Sequence, residues 1–171
     1  VALAMGGAAL VPEDATNMSF GLTTSMLSGL NLSFDYYQID IAKKIIKSRA
    51  LAVPEGVVTE YTELAFYSNA LDTKTSGFDL VANYTIGSTN VSLALNHNET
   101  EVTGQYQVGG QDPVSQGTMD NLELNLPKDR LVSTVTHTFS DALSAMVRIN
   151  YYGESWDERG TYSTVSADNT K

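Results

Sequence analysis

Two histidines, His97 and His137, are the only imidazoles in the 171-residue sequence, and there is no cysteine. A protein metal centre needs three or four soft or borderline ligands at short spacing, such as paired C-x-x-C motifs or H-E-x-x-H on a helix. His97 and His137 have no such neighbours, so each is expected on a strand face or at an interface rather than at a metal. Asp112, Asp120 and Glu123 share one polar stretch, but they lack the alternating pattern of a calcium loop. Serines are plentiful, yet none sits in a G-x-S-x-G elbow or an ordered Ser, His and Asp set. Glu99 and Glu101 read as a solvated pair at a strand end. No catalytic set, metal site or cofactor is therefore expected, and the chain does not read as an enzyme.

The most informative single charge is Arg148, which sits in an otherwise apolar stretch but shares the parity of its polar residues. A guanidinium facing lipid would cost ~2–4 kcal/mol at the midplane, so it is expected to face the polar side. Five Asn-x-Ser/Thr sequences, at Asn17, Asn31, Asn83, Asn90 and Asn98, follow from Asn and Ser/Thr sharing the polar parity of strands. Glycan attachment is not needed to account for them.

The elements that carry these residues are strands, because apolar and polar positions alternate with period two. Phe78, Leu80, Ala82, Tyr84 and Ile86 share one parity, while Asp79, Asn83 and Thr85 fall on the other, broken only by Val81. Val91, Leu93 and Leu95 alternate with Asn90, Ser92, Ala94 and Asn96. Leu143, Ala145, Val147, Ile149 and Tyr151 alternate with Ser144, Met146, Arg148, Asn150 and Tyr152. Met18, Phe20 and Leu22 form a similar set near the start, as do Leu30, Leu32, Phe34 and Tyr36. Leu131 to Phe139 is weaker, but its β-branched residues support a strand. Successive strand side chains point to opposite faces, so each segment has one apolar and one polar face.

Short turns join these strands in pairs, at 26–29, 87–90 and 140–142. Long polar stretches separate the pairs, roughly Lys47 to Ser68 and Gly104 to Leu126, and a polar tail follows Ser155. Compact soluble domains rarely carry two structureless loops of ~20 residues, whereas outer-membrane barrels alternate short turns with long external loops. Asn90 to Thr103 and Ala142 to Glu154 suit the ~9–11 residues that cross a bilayer at a tilt. A soluble antiparallel sandwich remains open on pattern alone.

The net charge is −10, with 20 acidic residues against 10 basic ones. That argues against nucleic-acid binding, which needs a basic face to neutralise phosphates. The short cluster of Lys43, Lys44, Lys47 and Arg49 reads as a solvated strand end. No run of ~20 apolar residues offers a transmembrane helix, and the uncharged Val1 to Val11 segment reads as a short helix or loop.

Several segments resemble the barrels of TonB-dependent receptors. Leu10 to Asn17, followed by Ser19-Phe20-Gly21-Leu22, is similar to an L-x-P-E-x-x-x-N-x-x-x-G signature of that family. Asn31 to Ile41 resembles the strand that follows it. Asn69 to Leu80 is similar to the N-A-x-x-x-x-T-x-G-x-D segment. Leu95 to Val102, Leu126 to Arg130 and Arg148 to Glu154 continue the likeness in the family's order, so that it covers about Val1 to Glu154. The resemblance implies an all-β, antiparallel up-and-down transmembrane β-barrel segment, about six strands of a larger barrel of about 22. Residues 1–171 would be a partial barrel domain, an internal fragment of a receptor's C-terminal third. Its hairpins are expected at about 16–46, 74–103 and 129–154, and its long external loops at about 47–70 and 104–127. By family topology the six strands are roughly the fourteenth to nineteenth.

The implied function is uptake of a scarce nutrient across the outer membrane of a Gram-negative bacterium. The cargo would be an iron–siderophore complex or a similar ligand, and the implied partners are outer-membrane lipid and TonB, which would act through parts outside this sequence. No ligand site can be assigned from the family, but Arg148, Asn150, Tyr152, Tyr106 and Trp156 are lumen or loop candidates. The alternatives are a soluble secreted β-domain that binds carbohydrate, with the apolar rows in a dry core, and a passive porin-like barrel.

Overall fold

A computed structural model describes residues 1–25, 27–57 and 59–156. Six strands form one open antiparallel sheet. Its order is β1 (Asp14–Thr24), β2 (Leu30–Lys47), β5 (Tyr67–Ile86), β6 (Thr89–Gln105), β7 (Asp129–Ser140) and β8 (Leu143–Tyr152). Two short strands, β3 (Leu51–Ala52) and β4 (Glu63–Leu64), pair with each other between β2 and β5. Helix α1 (Gln116–Leu124) lies between β6 and β7, and a 3-10 turn covers Leu3–Met5. The chain divides into two compact units, and β1, β2, β5 and β6 contribute residues to both.

Among the described residues, the first unit comprises Met18–Gln38, Ser76–Glu99 and residues 126–156. It holds the alternating segments and their tight turns. Gly29 closes the β1–β2 turn at φ 79°, a left-handed conformation that glycine adopts without steric cost. The register of β6, β7 and β8 sorts the two parities into faces. Val91 stands opposite Val135, and Val135 opposite Val147. Leu95, Leu131 and Tyr151 form a second such row, and Leu93, Ser133 and Ile149 lie between them. On the other face Ser92 pairs with Thr134 and Thr134 with Arg148, while Asn96 pairs with Arg130 and Arg130 with Tyr152. The apolar rows do not bury one another: Val147 is 63% exposed and Ile149 60%.

The second unit comprises Val1–Asn17, Ile39–Thr75 and Thr100–Asn125. The two polar stretches expected as long loops are ordered here around small cores. Met5, Leu51 and Val108 form one cluster, backed by Val53, Leu64 and Phe66. Ala70, Leu71 and Val114 form another, backed by Ile46, Val102, Met119 and Leu122. Strand β5 begins at Tyr67, earlier than the hairpin start near 74 expected from alternation, because Ala70 and Leu71 are both buried and break the period. Helix α1 is capped by Ser115, whose Oγ accepts from the Thr118 amide at 3.2 Å.

Candidate functional site

Two surfaces carry the side chains singled out in the sequence. The first is the polar face of the first unit. Arg148 lies on it, exposed, and donates from Nε to Thr134 Oγ1 at 3.1 Å. Asn150 and Tyr152 follow on the same face of β8 by alternation. The Arg130 guanidinium stands 5.2 Å from the centre of the Tyr152 ring, a cation–π contact that an exposed site values at about 0.5–1 kcal/mol. Further along, Asn96 Nδ2 donates to Asp79 Oδ1 at 2.8 Å, and Ser33 Oγ donates to Asp35 Oδ2 at 3.0 Å. The face therefore offers fixed amides, hydroxyls, two guanidiniums and two carboxylates, which suits contact with water or a polar partner. Arg148, Asn150 and Tyr152 are brought together by one strand. Trp156 follows β8 and is half-buried.

Both histidines lie in the apolar rows, at their two ends. His97 stands opposite Asp129, with Nδ1 2.7 Å from Oδ1, and its ring stacks on Phe78 at 5.5 Å. Phe78 in turn stacks on Phe34 at 5.9 Å. His137 stands opposite Thr89, with Nδ1 2.7 Å from Oγ1, and its ring meets the Phe139 edge at 4.4 Å. Glu99 and Lys128 form an ion pair just beyond the His97 row. Between the histidine rows, the β6, β7 and β8 register places only two polar groups on this face, the Ser133 and Tyr151 hydroxyls.

The second surface belongs to the second unit and includes Tyr106. Its hydroxyl donates to Asp72 Oδ2 at 2.5 Å, and its amide donates to the Ala70 carbonyl at 2.9 Å. Donation to the Asp72 carboxylate holds the phenol proton and pushes its pKa above the ordinary tyrosine value, with a smaller push from desolvation. A phenol held protonated is a poor ligand for a metal ion and a good hydrogen-bond donor, so Tyr106 reads as a donor. Tyr61 and Tyr67 are also exposed in this unit. Among the described residues no three His, Asp or Glu side chains converge in a metal-binding group.

Sequence reasoning missed a group that the structure makes prominent. Asp72 Oδ1 also accepts from the Lys43 amide at 2.8 Å, and Asn69 Nδ2 donates to the Lys43 carbonyl at 2.6 Å. Asn69 exchanges two further bonds with the backbone of Val11, both 2.9 Å, and Glu13 Oε1 accepts from the Ile45 amide at 2.7 Å. Glu123 Oε1 likewise accepts from the Val102 amide at 2.7 Å. The Asn69 to Asp79 and Pro12-Glu13 motifs held the signal, but their partners lie too far along the chain for spacing to reveal.

A family model described as TonB dependent receptor-like, beta-barrel, matches residues 2–170. Among solved structures, the chain is similar to the FrpB iron transporter from Neisseria meningitidis, at TM-score 0.57 and 15% identity over 82% of this chain. A second variant of that transporter, in its apoprotein form, is similar at TM-score 0.55 and 16% identity, again over 82% of this chain. The chain spans 18% and 19% of those two structures, and at such identity the likeness concerns the fold. No curated protein matches the chain.

Proposed function

The chain belongs to the TonB-dependent receptor β-barrel family, and from that premise we propose that it forms part of the wall and loops of an outer-membrane importer for a scarce nutrient. The observation that carries this reading is the separation of faces in β6, β7 and β8. Val135 and Val147 stand exposed on one side, in a row with the half-buried Val91, while Ser92, Thr134 and Arg148 lie on the other. Exposed apolar rows are costly in water and favourable against hydrocarbon, at roughly 25 cal/mol per Å². From the Thr89 row to the His97 row the strand rises roughly 26 Å at ~3.3 Å per residue. At a tilt of about 40° that leaves roughly 20 Å of height, within the apolar band of an outer-membrane barrel. The histidine rows then lie at the two membrane boundaries, where amphipathic rings are at home.

In this reading the polar face lines a wet interior and meets the barrel's internal partner or the passing ligand through Arg148, Asn150 and Tyr152. The long loops, Tyr106 among them, are external and meet the ligand, and TonB acts through parts of the receptor outside this chain. FrpB is an iron transporter, which supports iron as the cargo here, and the family resemblance favours delivery as a siderophore complex. The soluble carbohydrate-binding alternative needs the apolar rows in a closed core, and their exposure counts against it.

The test is uptake of ⁵⁵Fe-labelled siderophore by cells carrying the full-length receptor, with and without a functional TonB system. Uptake that requires both the receptor and TonB is expected. Uptake that ignores TonB would point to a passive barrel and sink the energy-coupled reading.

A further inference from the structure

We infer that Lys43 is a switchable kink in β2, held by a polar latch that connects the Tyr106 hydroxyl to the N-terminal residues 11–13. Lys43 is the only non-glycine among the described residues with a positive φ, 59°, and it lies within an 18-residue strand. A left-handed residue with a Cβ is disfavoured, and a lysine brings no side-chain compensation of the kind asparagine offers. Such a residue persists only where its surroundings over-determine it.

Here side chains hold both of its backbone groups. The Lys43 amide donates to Asp72 Oδ1 and its carbonyl accepts from Asn69 Nδ2. The other Asp72 oxygen holds Tyr106, and Asn69 also holds both backbone groups of Val11. Glu13 closes the set on the Ile45 amide. All of these residues belong to one compact unit, so the network is continuous within it.

An αL residue inserted in a strand acts as a bulge, and removing a bulge slides the strand beyond it by one residue. Relaxing Lys43 to an extended φ would therefore exchange the faces of residues 44–47. Ile46 would leave its contact with the Ala70, Leu71 and Val114 cluster. The two arrangements are discrete, not graded, and whichever group captures the exposed Tyr106 hydroxyl removes one of the two donors that orient Asp72. The latch thus couples a surface phenol to the anchoring of the N-terminal segment. This coupling goes beyond the transport reading and does not require it.

The test is residue-resolved amide hydrogen exchange on the intact protein, read at Val11, Lys43 and Ile45. Asp72→Asn and Tyr106→Phe weaken the latch and should speed exchange at all three amides by a shared factor. Lys43→Gly removes the strain and should slow all three, by roughly five- to thirty-fold if the usual αL penalty is recovered. The opposite signs separate a switch from general loss of folding. An ordinary static bulge would confine the Asp72→Asn effect to the Lys43 amide. That outcome overturns the inference, as does independent movement of the three amides, no response to Tyr106→Phe, or a Lys43→Gly variant that fails to slow exchange.

Discussion

The Tyr37 phenol lies over Gly77, so close that a Cβ at position 77 would stand 2.6 Å from the Tyr37 oxygen. The ring covers the gap that the glycine leaves in β5, and the His97 carbonyl closes it from another side. Gly77→Ala is expected to destabilise the sheet by about 1–3 kcal/mol, the usual cost of overfilling a packed site. Tyr37→Ala should relieve part of that cost, because the carbonyl contact remains. Urea unfolding of the single and double variants measures both effects, and strictly additive losses would show that the two residues do not interact.

Neighbouring positions on β8 should respond in opposite ways to the same charge. Val147 and Met146 are similarly exposed, at 63% and 60%, but they belong to opposite faces. Val147→Lys is expected to cost ~2–4 kcal/mol and to block assembly into bilayers, while Met146→Lys faces water and should change stability by less than ~0.5 kcal/mol. Folding yield in lipid vesicles is the measurement. Equal tolerance of both lysines would remove the lipid-facing assignment.

Tyr106 should ionise later than an ordinary tyrosine, because its proton is shared with Asp72. A raised folded pKa means that its contribution to stability is complete below the unfolded value of about 10. That contribution is lost as pH climbs through the higher folded value. The ultraviolet difference spectrum of phenolate formation should show one late-titrating tyrosine that disappears in Tyr106→Phe. If the substitution removes an early-titrating step instead, the phenol does not donate to Asp72.

The wall was legible in the sequence because its physics is local. Alternation at Phe78 to Ile86, Val91 to Leu95 and Leu143 to Tyr151 marks the faces, and the register aligns the last two sets, row by row, with Leu131, Ser133 and Val135. The second unit was not legible, because its order comes from distant contacts. Gln116 to Leu124 carries only Met119, Leu122 and Leu124 as large apolar residues, too few to signal a helix until Met119 and Leu122 pack against the Ala70, Leu71 and Val114 cluster. Strands of two residues, such as Leu51–Ala52, have no periodicity to read. The likeness to receptor barrels placed Asn69 and Glu13 in motifs without saying what they bond, because side chain-to-backbone bonds across a fold leave no spacing rule.

The bond from Val102 to Glu123 has a consequence for how recognition can diversify in such a scaffold. Beyond the stretch of β6 that pairs with β7, the connecting segment returns a carboxylate to a peptide group that has lost its neighbouring strand. A transplanted segment with different recognition residues must therefore carry its own acceptor to that point. Otherwise it leaves an orphan donor at a frayed border, so permissible exchanges are narrower than the surface position of the segment implies.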